Sequence, residues 1–110
     1  MTSLDVTKNT ALIELSCSGN QLTKLDVTYN TMLDWLELDE NGLVSIDVTK
    51  NTALTGLSCC NNQLATLDLS KNTALESLYC YRNKLSTLDL THNPALLGCT
   101  VAIIRWVRSM

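Results

Sequence analysis

A chain of 110 residues that is 45% apolar and 17% charged can fold as one unit and is too apolar to be disordered. Its net charge of −3 and lack of a basic block argue against a nucleic-acid-binding surface. No apolar run approaches the roughly 18 residues of a membrane span. The first residues carry neither a charged n-region nor an apolar h-region, so we expect a cytoplasmic location for the chain as written.

One phrase recurs along the sequence with a period of 21 residues. Its copies begin at Leu4, Leu25, Ile46, Leu67 and Leu88, and no insertion or deletion separates them. A fixed period between about 20 and 50 residues predicts a solenoid, whose turns bury their apolar residues only by stacking on one another. We therefore predict a solenoid over residues 1–101 and a divergent apolar tail over residues 102–110.

Each copy contains two apolar triplets. In the first copy Leu15 and Cys17 enclose one polar residue, and this spacing of two predicts a strand rather than a helix. The second triplet, which joins Leu25 to Val27, predicts a shorter extended segment. An Asn follows each triplet and marks a turn, because Asn bonds nearby backbone groups and tolerates turn geometry. The fold class is therefore a β-rich solenoid with a parallel sheet and one strand per turn.

Equivalent positions of successive copies should form columns along the solenoid. Cys17, Cys59 and Cys80 share an interior slot, and we predict that they are buried thiols. A tetrahedral metal site, or a disulfide between Cys59 and Cys80, is disfavoured because the side chains of one column point the same way. Cys99 occupies a leucine slot and should also be buried. Cys60 follows an interior residue, so we expect its side chain to face outward and its thiol to be reactive on the solvent side.

Polar residues form further columns. Two columns of Asn should bond turn backbone groups from one turn to the next. A row of five Asp should lie outside; calcium could bridge such a row, but bonds from nearby Thr hydroxyls and turn amides are the favoured role. The Asp row consists of Asp5, Asp26, Asp47, Asp68 and Asp89.

The stretch LxxLxCxxNxL of residues 12–22 matches the leucine-rich repeat motif LxxLxLxxN/CxL, with Cys17 in the third leucine slot. With its period of 21 and its LDVTKNTA half-phrase, the chain resembles the bacterial internalin J-type repeats, over about four and a half copies. The resemblance implies a right-handed superhelix, a stacked cysteine ladder, and a concave sheet face used for partners. Members of that group are cell-surface or secreted proteins.

Function should lie where the columns vary, which is on the outward side of the first strand of each copy. The aromatic side chains Trp35, Tyr79 and Tyr81 cluster there beside charged ones, as is typical of interface hot spots. The leading hypothesis is a non-catalytic module that binds a cytosolic protein, with inhibition of that protein as one potential consequence. The predicted partner-binding residues are Glu14, Trp35, Glu37, Asp39, Tyr79, Tyr81 and Arg82.

The predicted face offers only a few hundred Å², against roughly 800 Å² per partner in a standard interface. A partner would also contact a flank or an end, or the chain would dimerise through its ends. The tail lacks the expected Asn and a helix start signal, and should cap the last turn or pair as a strand with a second copy. The predicted self-association residues are Ile103, Ile104, Trp106 and Val107.

Two alternatives to protein recognition stay open. The aromatic residues could stack on sugar rings, as in a carbohydrate-binding adhesin fragment, or the chain could be a structural, self-associating fragment without independent activity. His92 is the single histidine, and no nucleophile is placed beside it, so the sequence predicts no enzyme. It also predicts no cofactor and no metal site.

Overall fold

The computed structural model describes residues 1–96 and has one parallel sheet of four strands. The strands are β1 (Glu14–Ser16), β2 (Trp35–Glu37), β3 (Gly56–Ser58) and β4 (Ser77–Tyr79), and they follow one another in chain order across the sheet. Each residue pairs with its equivalent in the next copy, so that Leu15 lies beside Leu36. The strands thus pair in the register of the sequence repeat, and the predicted parallel solenoid is confirmed.

The remainder of each turn contains no strand within residues 1–96. The second apolar triplet is followed by a tight turn, in which the Asn30 amide donates to the Val27 carbonyl at 3.1 Å. The Leu33 amide then donates to the Asn30 carbonyl at 3.2 Å, and the chain returns to the sheet. The same pair of bonds recurs in the other copies because the same residue types stand at the same spacing.

The interior is a stack of leucine layers. Leu36, Leu57 and Leu78 are fully buried in the column behind the sheet, whereas Leu15, in the first turn, is only half-buried. This difference follows from the solenoid architecture, because an end turn has a neighbour on one side only. Burying a leucine side chain contributes roughly 1.5–3 kcal/mol, so the central turns contribute most of the hydrophobic stabilisation.

The two Asn columns connect successive turns, as predicted. In the second column, the Asn51 amide group donates to the carbonyls of Val27 at 3.0 Å and Asn30 at 2.9 Å. Its Oδ1 is buried and accepts no hydrogen bond within the described residues. In the first column both ends of the amide are used: Asn62 Nδ2 donates to the Leu38 carbonyl, and Asn62 Oδ1 accepts from the Leu43 amide at 3.1 Å.

The Asp row is exposed, and each carboxylate is held by its own turn. Asp47 Oδ1 accepts from the Thr49 hydroxyl at 2.6 Å and from the Thr49 amide at 3.0 Å. The side-chain bond is the larger cause, and the two bonds lower the pKa of Asp47 below its ordinary value. The other four members of the row bond the residue two positions on, Thr or Ser, in the same way. The predicted structural role of these carboxylates is confirmed.

The predicted boundary at residue 101, the buried position of Cys99, the tail of residues 102–110 and the four self-association residues lie outside the described residues. No helix in the described part of the chain has the length and apolar character needed to cross a membrane.

Candidate functional site

The predicted partner-binding residues lie on the outward side of the sheet, on β1, β2 and β4 and just after β2 and β4. Trp35 and Glu37 project from β2 and are half-buried, and Asp39 follows that strand. Tyr79 ends β4 and is half-buried, while Tyr81 is 37% exposed just beyond it. The two aromatic rungs therefore lie on either side of β3.

The rung of β3 carries small side chains, and this creates a recess between the aromatic rungs. The outward positions of that rung are Gly56, Ser58 and Cys60, all of which are buried. The resulting recess has a volume of about 220 Å³ and is called the sheet-face recess below. It is lined by Trp35, Glu37, Asp39, Ser58, Cys60, Tyr79 and Tyr81.

Five of the seven predicted partner-binding residues thus line one recess. Glu14 is exposed on β1, one rung further from the centre, and does not line it. Arg82 is exposed in the turn after Tyr81 and does not line it either. Both residues lie at the periphery of the face.

Trp35 occupies the space left by the absence of a side chain at Gly56. A Cβ at position 56 would overlap the six-membered ring of Trp35 at Cε3 and Cζ3. The indole therefore lies across the backbone of the neighbouring strand instead of extending into solvent. The glycine inside a strand triplet was the available sequence signal, because such a glycine often marks a close approach to the backbone.

Hydrogen bonds orient the two carboxylates of the recess. Asp39 Oδ1 accepts from the Ser58 hydroxyl at 2.7 Å and from the Cys60 amide at 2.8 Å. Glu37 is held less tightly, since Trp35 Nε1 donates to its Oε1 at 3.3 Å and the Ser18 hydroxyl donates to its Oε2 at 3.5 Å. The serines that make these bonds, Ser58 and Ser18, were not among the predicted site residues, because serine is common at outward positions of this sheet.

The expectation that Cys60 is a solvent-reactive thiol was wrong. Cys60 does lie on the outward side of the sheet, but it is only 2% exposed. Burial is the largest cause of a raised pKa for its thiol. Alternation along a strand correctly predicted that Cys60 lies on the outward side of the sheet. It did not predict that larger side chains on the adjacent rungs would cover the thiol.

The interior cysteines form the predicted ladder. Cys17, Cys59 and Cys80 occupy one buried column with Leu38 between the first two, and neither they nor Cys60 form a disulfide. Burial raises the pKa of Cys17 and raises that of Cys59 well above its ordinary value. In residues 1–96 no group of three or more His, Cys, Asp or Glu side chains is arranged to hold a metal ion.

Two other hollows follow the Asp row. One of about 470 Å³ lies beside Asp5 and Asp26, and one of about 280 Å³ lies beside Asp47 and Asp68. They contain no aromatic side chain, and their carboxylates already accept bonds from the turn. The sheet-face recess, where aromatic rings meet two oriented carboxylates, is the better candidate site.

The turn after each strand contains a backbone position in the left-handed region. This position is Gly19 with φ 73°, followed in later copies by Glu40 at 57°, Asn61 at 58° and Arg82 at 61°. Side chains other than glycine and asparagine are disfavoured there. Glu40 and Arg82 therefore stand at strained positions on the border of the sheet face.

Comparison with known structures shows similarity to a bacterial protein domain. Over 90% of this chain, the structure superposes with a TM-score of 0.80 and 37% identity on the "Functional domain of InlJ from Listeria monocytogenes includes a cysteine ladder". The chain spans 23% of the length of that protein. No protein-family profile and no curated protein sequence matches. The similarity confirms a leucine-rich repeat solenoid with an internalin-like cysteine ladder.

Proposed function

We propose that this leucine-rich repeat solenoid is a non-catalytic module that binds a protein partner through the sheet-face recess and its border. The observation that carries the proposal is the convergence of Trp35, Tyr79 and Tyr81 on one recess, beside the carboxylates of Glu37 and Asp39. Large aromatic side chains in partly desolvated settings supply most of the binding energy in many protein interfaces.

The scaffold around the recess supports a binding role. The strands that carry the recess pack against a fully buried column that consists of Leu36, Leu57 and Leu78. Trp35 packs closely over Gly56, and the Asp39 carboxylate is held by two short hydrogen bonds. A site whose side chains are already held in place loses less conformational entropy when a partner binds.

The cysteines do not supply a competing catalytic hypothesis. The thiols of Cys59 and Cys60 are buried, and their raised pKa values disfavour the nucleophilic thiolate. The similarity to an internalin domain points in the same direction, towards a repeat module that acts by binding.

The binding proposal is tested by affinity capture with a triple variant. We expect that Trp35→Ser, Tyr79→Ser and Tyr81→Ser together abolish capture of the partner from cytosolic and surface fractions of a bacterial lysate, with mass spectrometry as the readout. The matched control replaces three exposed apolar residues away from the recess: Tyr29→Ser, Met32→Ser and Val44→Ser.

The control triple variant should retain capture. If both triple variants capture the partner as well as the original chain does, the sheet face is not the binding surface. Circular dichroism and thermal unfolding of each variant establish that the solenoid is folded before capture is compared.

A further inference from the structure

We infer that the sheet-face recess takes an arginine side chain from the partner. This inference rests on the proposed binding function and specifies the chemistry of the partner segment. It combines four properties of the recess, which are its charge, its aromatic walls, its size and the state of its carboxylates.

The side chains that line the recess carry a net negative charge. Its acidic side chains are the carboxylates of Glu37 and Asp39, and no lysine or arginine of residues 1–96 lines the recess. A partner group that enters there is attracted if it is cationic and repelled if it is anionic. Charge complementarity therefore selects a basic side chain.

The walls select a cation that also stacks. Trp35 lies on one side of the recess, and Tyr79 and Tyr81 lie on the other. The faces of such rings attract cations, and arginine makes this contact more often than lysine because its planar guanidinium also stacks.

The volume limits what can enter. The recess measures about 220 Å³, which is below the roughly 300–1,000 Å³ typical of small-molecule sites. One extended side chain on a partner surface suits this size, whereas a drug-sized ligand or a sugar chain would have to lie mostly outside.

The hydrogen bonds that Glu37 and Asp39 already accept favour a partner group with two parallel N–H donors, such as a guanidinium. The bonds to Glu37, at 3.3 and 3.5 Å, are long and come from uncharged donors, so a guanidinium can displace them with shorter bonds between opposite charges. Both short bonds to Asp39 end on Oδ1, so neither occupies Oδ2. A guanidinium carries donors in a fixed fork, whereas the lysine ammonium is a point charge.

The test is a nuclear magnetic resonance titration of the full chain with a capped Gly-Arg-Gly peptide, following the Trp35 indole proton. The chain has two tryptophans, and a Trp106→Phe variant assigns the Trp35 signal. We expect a saturable shift with the arginine peptide, a weaker one with its lysine counterpart, and none with the isosteric, uncharged citrulline peptide.

Variants then locate the effect. Glu37→Gln combined with Asp39→Asn should weaken binding of the arginine peptide about tenfold or more, since it removes both charges while leaving an acceptor at position 39. The matched control is Glu76→Gln, which removes one exposed carboxylate outside the recess, and it should leave the affinity within about twofold.

Three results would overturn the inference: no saturable shift with the arginine peptide, an equal response to the citrulline peptide, or an equal loss in Glu76→Gln. The proposed binding function is judged separately. If the Glu37 and Asp39 double variant still captures the partner while the aromatic triple variant does not, the binding face is supported and the arginine assignment fails.

Discussion

The side-chain amide of Asn51 donates to the backbone carbonyl of Asn30, 21 residues earlier, at 2.9 Å. The same amide group donates to the Val27 carbonyl at 3.0 Å. One side chain thus provides both donors that the turn below requires, which explains why this slot holds Asn and not Asp, whose carboxylate has no donor.

Replacing Asn51 tests the value of this connection. Asn51→Ala removes both donors from buried carbonyls, and we expect a loss of about 2–4 kcal/mol in the free energy of unfolding, measured by urea denaturation. Asn9 occupies the equivalent slot in the first turn but is exposed, so Asn9→Ala should cost less than about 0.5 kcal/mol. Equal losses in the two variants would show that the ladder does not stabilise the solenoid.

The leucine column predicts a dependence of stability on rung position. Leu57 is fully buried in the third turn, and Leu57→Ala should cost about 2–5 kcal/mol because it leaves a cavity between two packed neighbours. Leu15 stands in the same column in the first turn and is half-buried, so Leu15→Ala should cost markedly less. Guanidinium denaturation of both variants measures the difference. A larger loss for Leu15→Ala would contradict the stacking account.

Alanine should have opposite effects on stability at Gly19 and Gly42, because only Gly19 lies in the left-handed region. Gly19 has φ 73° with open space where a Cβ would be, so Gly19→Ala should cost about 1 kcal/mol from backbone strain alone. At Gly42 a Cβ would make ordinary contacts of 3.6 and 3.7 Å, and φ is not in the left-handed region. Gly42→Ala should therefore be neutral or stabilising by up to about 1 kcal/mol. Thermal unfolding of the two variants separates them.

The Asp row predicts acid sensitivity. Its carboxyls have native pKa values below the ordinary 3.8, so the unfolded chain binds protons more readily as the pH falls. The stabilisation is present above about pH 3.8 and is lost as the pH falls through the lowered native pKa values. The thermal midpoint should therefore decrease over this acidic range.

A single variant isolates one member of the row. Thr49→Val removes the hydroxyl that bonds Asp47, so the pKa of Asp47 should rise towards its ordinary value in a carbon-13 titration of the carboxyl groups. The acid-induced decrease in the thermal midpoint should become smaller. Thr23→Val, at an exposed threonine outside the row, is the matched control and should change neither quantity.

The burial of Cys60 makes a chemical prediction. In the folded chain Cys60, like Cys59, should react with iodoacetamide far more slowly than in the unfolded chain, because both thiols are buried and have raised pKa values. Denaturation should expose both to rapid labelling. Peptide mapping by mass spectrometry gives the rate at each site, and fast labelling of Cys60 alone in the native chain would contradict the structure.

The sequence was sufficient to predict the repeated part of the structure. A period that holds without insertion determines which residues stack, so the Leu15 column, the Asn slots and the bond from Thr49 to Asp47 all follow from composition and spacing. These features depend on residues that are the same in nearly every turn, and each turn therefore has the same neighbours.

The shape of the site could not be predicted in the same way. The sequence placed Trp35 and Tyr79 on one side of the sheet, but the recess between them depends on the small side chains of the rung in between. The indole lies across Gly56, and Cys60 is covered, because unlike side chains adjoin from one rung to the next. Period-two alternation determines the side of a residue and says nothing about the size of its neighbours.

The matched register of β2, β3 and β4 has a consequence for how such a surface can change. Since every turn offers its neighbours the same leucine layer and the same Asn bonds, recombination could exchange, duplicate or delete whole 21-residue units with little damage to the scaffold. The recess would not survive such an exchange, because it exists only where a small rung stands between two aromatic ones. Under the proposed binding function, the order of the units determines specificity, and permutation of units gives new specificities without a single point mutation.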